Sequence, residues 1–212
     1  MNTLPTRQQV VSLCLDLASR GYFAATGGNI ALRIDADLIA VTPSATDYYT
    51  MNPEDVSVLR LDNLQQLEGT RPPSVETSLH ARLLRARPDC HCSIHTHQPI
   101  ASACTLLGQP LEVTDSLRQR MLGPRIPLVG YAPSGTSWLA AKLARAIRPD
   151  INAYLLRNHG ALCCGPDAPT TVQRLIALET QATEHLRTRI QARAAAHSPL
   201  RPFLQHLLDS LV

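Results

Sequence analysis

His95 and His97 stand two residues apart behind the apolar run of residues 92–94. On a strand, residues i and i+2 share a face, so both imidazoles can aim at one point. Imidazole nitrogen is a ready ligand for zinc. Two ligands do not make a site, but His159 offers a third. It lies in Arg157-Asn158-His159-Gly160, a tight turn between two apolar runs that would hold its ring rigidly. Three histidines leave a zinc ion one open position, the pattern of a catalytic rather than a closed structural site. Glu76 opens a helix after Pro72-Pro73-Ser74-Val75 and offers a carboxylate. The plainer alternative is that His95 or His97 faces the core with a satisfied hydrogen bond, that His159 only completes a turn, and that Glu76 is a favourable helix-start residue.

The remaining histidines lack such context. His80, His91, His185, His197 and His206 fall on expected helices, loops or tails and should be solvated. Cys90-His91-Cys92 resembles a second cluster, but Cys92 begins an apolar strand and should point into the core.

Periodicity gives the elements that must position these groups. A helix over residues 6–20 starts at a capping box of Thr6 and Gln9, with Val10, Leu13, Cys14 and Leu17 as its stripe. A small-residue loop with Gly27-Gly28 enters a strand at 29–33. Those glycines make either a plain turn or a loop that exposes N–H donors to an anion. Strands follow at 38–41 and 56–61, then a polar surface loop at 65–71. Ser74 is the expected N-cap of the next helix, with Glu76 in its first turn. The histidine strand is followed by a helix at 99–106. Residues 108–130 show no clear period, and Arg118, Gln119, Arg120 and Arg125 find no place. Leu128-Val129 reads as a short strand. Thr136 caps a helix, and strands at 153–156 and 161–164 flank the His159 turn. Helices at 170–195 and 203–211 close the chain.

The 212 residues fit one domain spanning 1–212, since no linker or repeat divides them. Hydrophobic content of 44% suits a folded domain. A net charge of +3 with scattered basic residues argues against nucleic acid as a partner. No apolar run is long enough to span a bilayer, and residues 1–9 lack a signal-peptide core, so no membrane role and a cytoplasmic location are expected. Six cysteines without C-x-x-C spacing fit free thiols in a reducing compartment.

Five short stretches, in this order, carry a resemblance: Thr26-Gly27-Gly28-Asn29-Ile30, Thr42-Pro43-Ser44, Pro73-Ser74-Val75-Glu76, His95-Thr96-His97 and Asn158-His159-Gly160. Over roughly residues 7–185 the chain resembles the class II aldolase/adducin family. The resemblance implies a three-layer α/β/α sandwich with a central, mainly antiparallel sheet, assembled as a homotetramer. It implies that His95, His97 and His159 bind a divalent metal, usually zinc, with Mn2+, Co2+ or Fe2+ as other candidates. Glu76 becomes the acid/base residue, provided burial raises its pKa. Gly28, Asn29, Ser44, Ala45, Ser74 and Val75 become the lining of a phosphate pocket for a small carbohydrate substrate.

The implied reaction is retro-aldol cleavage of a small sugar phosphate or related hydroxy-ketone through a metal-stabilised enediolate. Alternatives on the same scaffold are dehydration of a methylthioribulose-type phosphate, sugar-phosphate epimerisation and 3-oxo-acid decarboxylation. A non-catalytic, adducin-like binding module is the alternative from another class. Two positions depart from the family's aldolase pattern: Val75 replaces a serine before the glutamate, and Ala45 replaces a glycine. With a hydroxyl missing, the substrate is either non-phosphorylated or held partly by Arg118, Arg120 or Arg125. The tyrosine proton donor that a neighbouring subunit supplies in the family has Tyr131 as its candidate here.

Overall fold

The computed structural model describes residues 2–23, 27–195 and 199–211. Helix α1 (Leu4–Ser19) buries Val10, Cys14 and Leu17. It starts earlier than the expected capping box. Thr3 flanks it and Pro5 occupies the first turn, where a missing N–H costs nothing, so Thr6 falls inside the helix. Four strands then form a meander: β1 (Asn29–Arg33), β2 (Leu38–Val41), β3 (Ser57–Arg60) and β4 (Gln66–Glu68). β4 replaces part of the expected surface loop. Its largely exposed residues, with Leu67 between two polar neighbours, hid it, because an edge strand has little core to contact.

Helix α2 (Thr77–Ala86) leads to β5 (Cys92–Thr96), α3 (Pro99–Cys104) and a 3-10 turn at Thr105–Leu107. The stretch without a period contains β6 (Leu111–Glu112), α4 (Ser116–Leu122), β7 (Arg125–Ile126) and β8 (Leu128–Val129). These pieces are too short to show a repeat. Helix α5 (Ser137–Ala146) is capped by Thr136, whose hydroxyl accepts from Leu139 N at 3.3 Å. β9 (Ala153–Leu156), β10 (Gly160–Gly165), α6 (Ala168–Ala195) and α7 (Arg201–Ser210) complete the chain.

One eight-stranded sheet runs β4-β3-β2-β1-β5-β10-β9-β8. Every pairing is antiparallel except β8 with β9. Side chains alternate between two cores. Ile30, Cys92, Ile94, Ala161 and Cys163 join the layer of α1, α3 and α6. Ala31, Leu162 and Cys164 join the layer of α2 and α5. The result is the expected three-layer α/β/α sandwich. The six cysteines are free and buried, Cys92 among the core residues. Among the described residues no helix is long and apolar enough to cross a membrane.

Candidate functional site

Two neighbouring interior strands set the site. β5 pairs with β10, placing His95 opposite Leu162 and Thr96 opposite Ala161. Cys92 and Ile94 face one core, so the pleat turns Ser93 and His95 toward α2. His97 follows the strand end, where its N–H donates to Tyr22 O at 3.1 Å. The turn into β10 brings up His159 through Asn158, which takes a left-handed φ of 55°, a conformation asparagine tolerates. Gly160 then lets the strands close. A Cβ there would sit 2.4 Å from Thr96 O and 2.7 Å from the His97 ring.

The three imidazoles converge. Ring centroids are 4.9 Å apart for His95–His97, 4.7 Å for His95–His159 and 5.3 Å for His97–His159. One ring nitrogen from each lies within 4.8 Å of the others. His95 Nδ1 donates to Ala161 O at 2.8 Å, which leaves Nε2 bare in the neutral ring. That nitrogen lies 3.0 Å from His97 Nε2 and 3.2 Å from Glu76 Oε2. A bare nitrogen and a carboxylate oxygen both only accept, so a proton or a cation between them is needed for a favourable contact. His159 Nε2 lies 3.4 Å from Glu76 Oε1, and its Nδ1 is buried without a partner. The donor set therefore fits a divalent cation. No other such cluster of His, Cys, Asp and Glu occurs among the described residues, and Cys90-His91-Cys92 forms none.

Glu76 is held from several sides. It is the residue before α2 and is 5% exposed. Ser74 does not cap the helix as expected. The helix begins at Thr77, and Ser74 Oγ instead accepts from Glu76 N at 3.2 Å, turning the carboxylate inward. Asn29 Nδ2 donates to Oε2 at 2.9 Å and Ser134 Oγ donates to Oε1 at 2.8 Å. Burial alone would raise this carboxyl's pKa. The imidazoles of His95 and His159 and the bonds from Asn29 and Ser134 outweigh it and hold the carboxyl below its ordinary range. The expectation of a raised pKa is thus reversed, and Glu76 is ionised at neutral pH. Burial drives His95 down to about 3 against the pull of Glu76, and lowers His97 as well. Both rings are neutral at neutral pH.

A cleft of about 220 Å³ opens above these groups. Gly28, Asn29, Ser44, Ala45, Ser74 and Val75 all line it, with Glu76, His97, Ser134 and His159. Gly28 has φ 98° and a Cβ there would meet the Phe23 ring at 2.3 Å, so only glycine fits. Its carbonyl accepts from Tyr48 Oη at 2.7 Å. The two rim loops are tied together by Ser44 N to Pro72 O and Ser74 N to Thr42 O. No lysine or arginine lines the cleft among the described residues. Arg118 is ion-paired with Glu184 at 2.6 Å, and neither Arg120 nor Arg125 reaches the cleft. Thr26 and His197 lie outside the described residues.

Two site residues escaped the sequence reading. Ser134, on the loop before α5, offered no signal. His80 was expected in solvent but is fully buried, 2.6 Å from Asn29 Oδ1 and 2.7 Å from Ser93 Oγ. Its position one helical turn after Glu76 was the available sign.

Residues 8–186 match the Class II Aldolase and Adducin N-terminal domain family. The 5-deoxy-D-ribulose 1-phosphate aldolase of Bacillus thuringiensis serovar kurstaki is 35% identical over 157 residues, 74% of this chain and 72% of that protein. The 3-oxo-tetronate 4-phosphate decarboxylase of Escherichia coli K12 is 28% identical, covering 83% of this chain and 84% of that protein. A solved L-fuculose 1-phosphate aldolase superposes with a TM-score of 0.81 at 24% identity, over 96% of this chain and 94% of that one, a likeness of fold. The chain belongs to the class II aldolase and adducin family, and it is an enzyme of that family.

Proposed function

We propose that this protein is a metal-dependent lyase that cleaves a small ketose phosphate by a retro-aldol reaction. The observation that carries the reading is the convergence of His95, His97 and His159 beside a buried, ionised Glu76 on the floor of one cleft. His95, His97 and His159 would hold a divalent cation, zinc or else Mn2+, Co2+ or Fe2+, which would supply Lewis-acid stabilisation for the charge that carbon–carbon cleavage leaves behind. Glu76 moves the proton at the reacting carbon. As a carboxylate it removes that proton in the condensation direction, and in cleavage it passes to that carbon the proton given up by the substrate hydroxyl. Asn29 and Ser134 hold both of its oxygens, so the base does not rotate away.

The phosphate would lie against the rim of Gly28, Asn29, Ser44, Ala45, Ser74 and Val75. With no cation in that lining, binding rests on neutral donors. The phosphorylated substrates named for both relatives support this placement. A homotetramer is part of the proposal. Val75 is 64% exposed and packs beside Gly135, and the same loop carries exposed Tyr131 and leads into exposed Trp138, an apolar rim suited to a neighbouring subunit. The free cysteines suit a cytoplasmic location.

The test is a panel of ketose 1-phosphates and 3-oxo-acid phosphates assayed with metal-loaded protein. Release of an aldehyde and dihydroxyacetone phosphate, lost in His159→Ala, is the expected result. Release of carbon dioxide from the oxo acids, with the ketoses inert, replaces the aldolase reading with a decarboxylase.

A further inference from the structure

We propose that His80 is a positioning residue, which aims the Glu76 carboxylate through a directional chain of buried hydrogen bonds running Ser93–His80–Asn29–Glu76. The inference rests on the role proposed for Glu76.

The direction of each bond follows from the last one. In that bond Asn29 presents its Nδ2 to Glu76 Oε2 at 2.9 Å, and the carboxyl oxygen accepts. Asn29 Oδ1 then faces His80 Nε2 at 2.6 Å, and an amide oxygen only accepts. His80 must therefore carry its proton on Nε2. Its Nδ1, 2.7 Å from Ser93 Oγ, is left to accept the serine hydroxyl proton.

The inner half of the chain is sealed from water. His80 and Ser93 are fully buried and Asn29 is 6% exposed. A flipped Asn29 amide would set its oxygen against the carboxylate and its nitrogen against the Nε2–H of His80, so both contacts would be lost. His80 thus holds Asn29 in the one sense that serves Glu76. The three elements are the strands β1 and β5 and the start of α2, so the chain also ties the base to the strand that bears His95.

Neutron crystallography of the deuterated full chain tests the bond directions. Deuterium on His80 Nε2 with Nδ1 bare, and the Asn29 Nδ2 amide turned to Glu76, is the expected map. Deuterium on Nδ1 with Nε2 bare overturns the proposal. Kinetics on metal-loaded protein test the consequence. An asparagine amide can take the place of Nδ1 and a glutamine amide that of Nε2. His80→Asn should lower kcat about tenfold or more, one hydrogen bond's worth, with KM and bound metal within about twofold of the parent. His80→Gln should recover most of that loss. Equal losses in both variants, or a change confined to KM, overturn the positioning role. The map of the unmodified chain decides the bond directions even where a variant fails to fold. Absence of turnover in the parent protein defeats the aldolase reading on that result alone, and the map still upholds or overturns the chain.

Discussion

At the residue scale, the site depends on which groups carry protons. Glu76→Gln keeps the shape, removes the proposed base and leaves the three imidazoles in place. Its kcat should fall about 100-fold or more while bound metal, measured by elemental analysis, stays near the parent value. A variant with full turnover removes Glu76 from the chemistry. His80 gives a second prediction, in stability. Burial drives its pKa down from 6.5 to about 4, against the opposing pull of Glu76. The unfolded chain therefore takes up a proton below about pH 6.5 that the folded chain refuses until about pH 4. This contribution to stability is full above 6.5 and is lost as pH falls toward 4, on the order of 3 kcal/mol. Urea midpoints should drop across that window, and His80→Gln, which cannot titrate, should flatten the drop. An unchanged slope would mean that His80 titrates normally. His80 also marks what a linear reading misses. His95 and His97 were legible because a period of two on a strand declares a shared face. A histidine on a helix otherwise rich in leucine looks the same whether it meets water or a buried asparagine.

At the element scale, the site is a junction between strands rather than a property of one. β5 and β10 approach closely at Gly160, and an added methyl would strike Thr96 O at 2.4 Å. Backbone cannot yield there as a flexible side chain could. Gly160→Ala should cost about 1–3 kcal/mol in urea unfolding and weaken metal affinity, since the same methyl meets the rings of His97 and His95. Unchanged metal affinity would show that the histidine geometry does not depend on this contact. Ala45 works in the opposite sense. It lines the cleft at φ 46°, in the left-handed region that alanine resists. Ala45→Gly should stabilise the chain by about 1 kcal/mol, read as a rise of about 2–4 °C in Tm. A lower Tm would show that the methyl packs usefully enough to offset its backbone strain. The position was legible as a departure from glycine, but its conformation was not, because φ is set by the Thr42–Ala45 turn in three dimensions. The helix starts failed for a related reason. Ser74 and Thr6 have good cap chemistry, yet Ser74 is used to turn Glu76 and Pro5 starts α1 first.

At the scale of the whole molecule, most elements were readable from periodicity and the layer class came only from the family resemblance, whereas the ladder was not legible in any element's own residues. Nothing in a strand's own residues says that β1 pairs with β5 or that β8 runs parallel to β9. That topology is what brings His159 to His95 and His97 and sets Glu76, the residue before α2, beside them. The three imidazoles thus sit on β5, just past its end and on the turn into β10, and one cation would bridge segments that are remote in the unfolded chain. A ligand that binds only the folded state stabilises it by mass action, about 2.7 kcal/mol at a free concentration 100 times its Kd. For a chain of this size that is a rise in Tm of about 5–11 °C. Zinc added to chelator-treated protein should produce this shift, and His159→Ala should abolish it while melting cooperatively on its own. Because the readout is thermal, it needs no substrate and separates the metal site from the reaction. A parent protein that no divalent cation stabilises, or a His159→Ala variant stabilised as fully as the parent, would show that the three rings do not act as one ligand set.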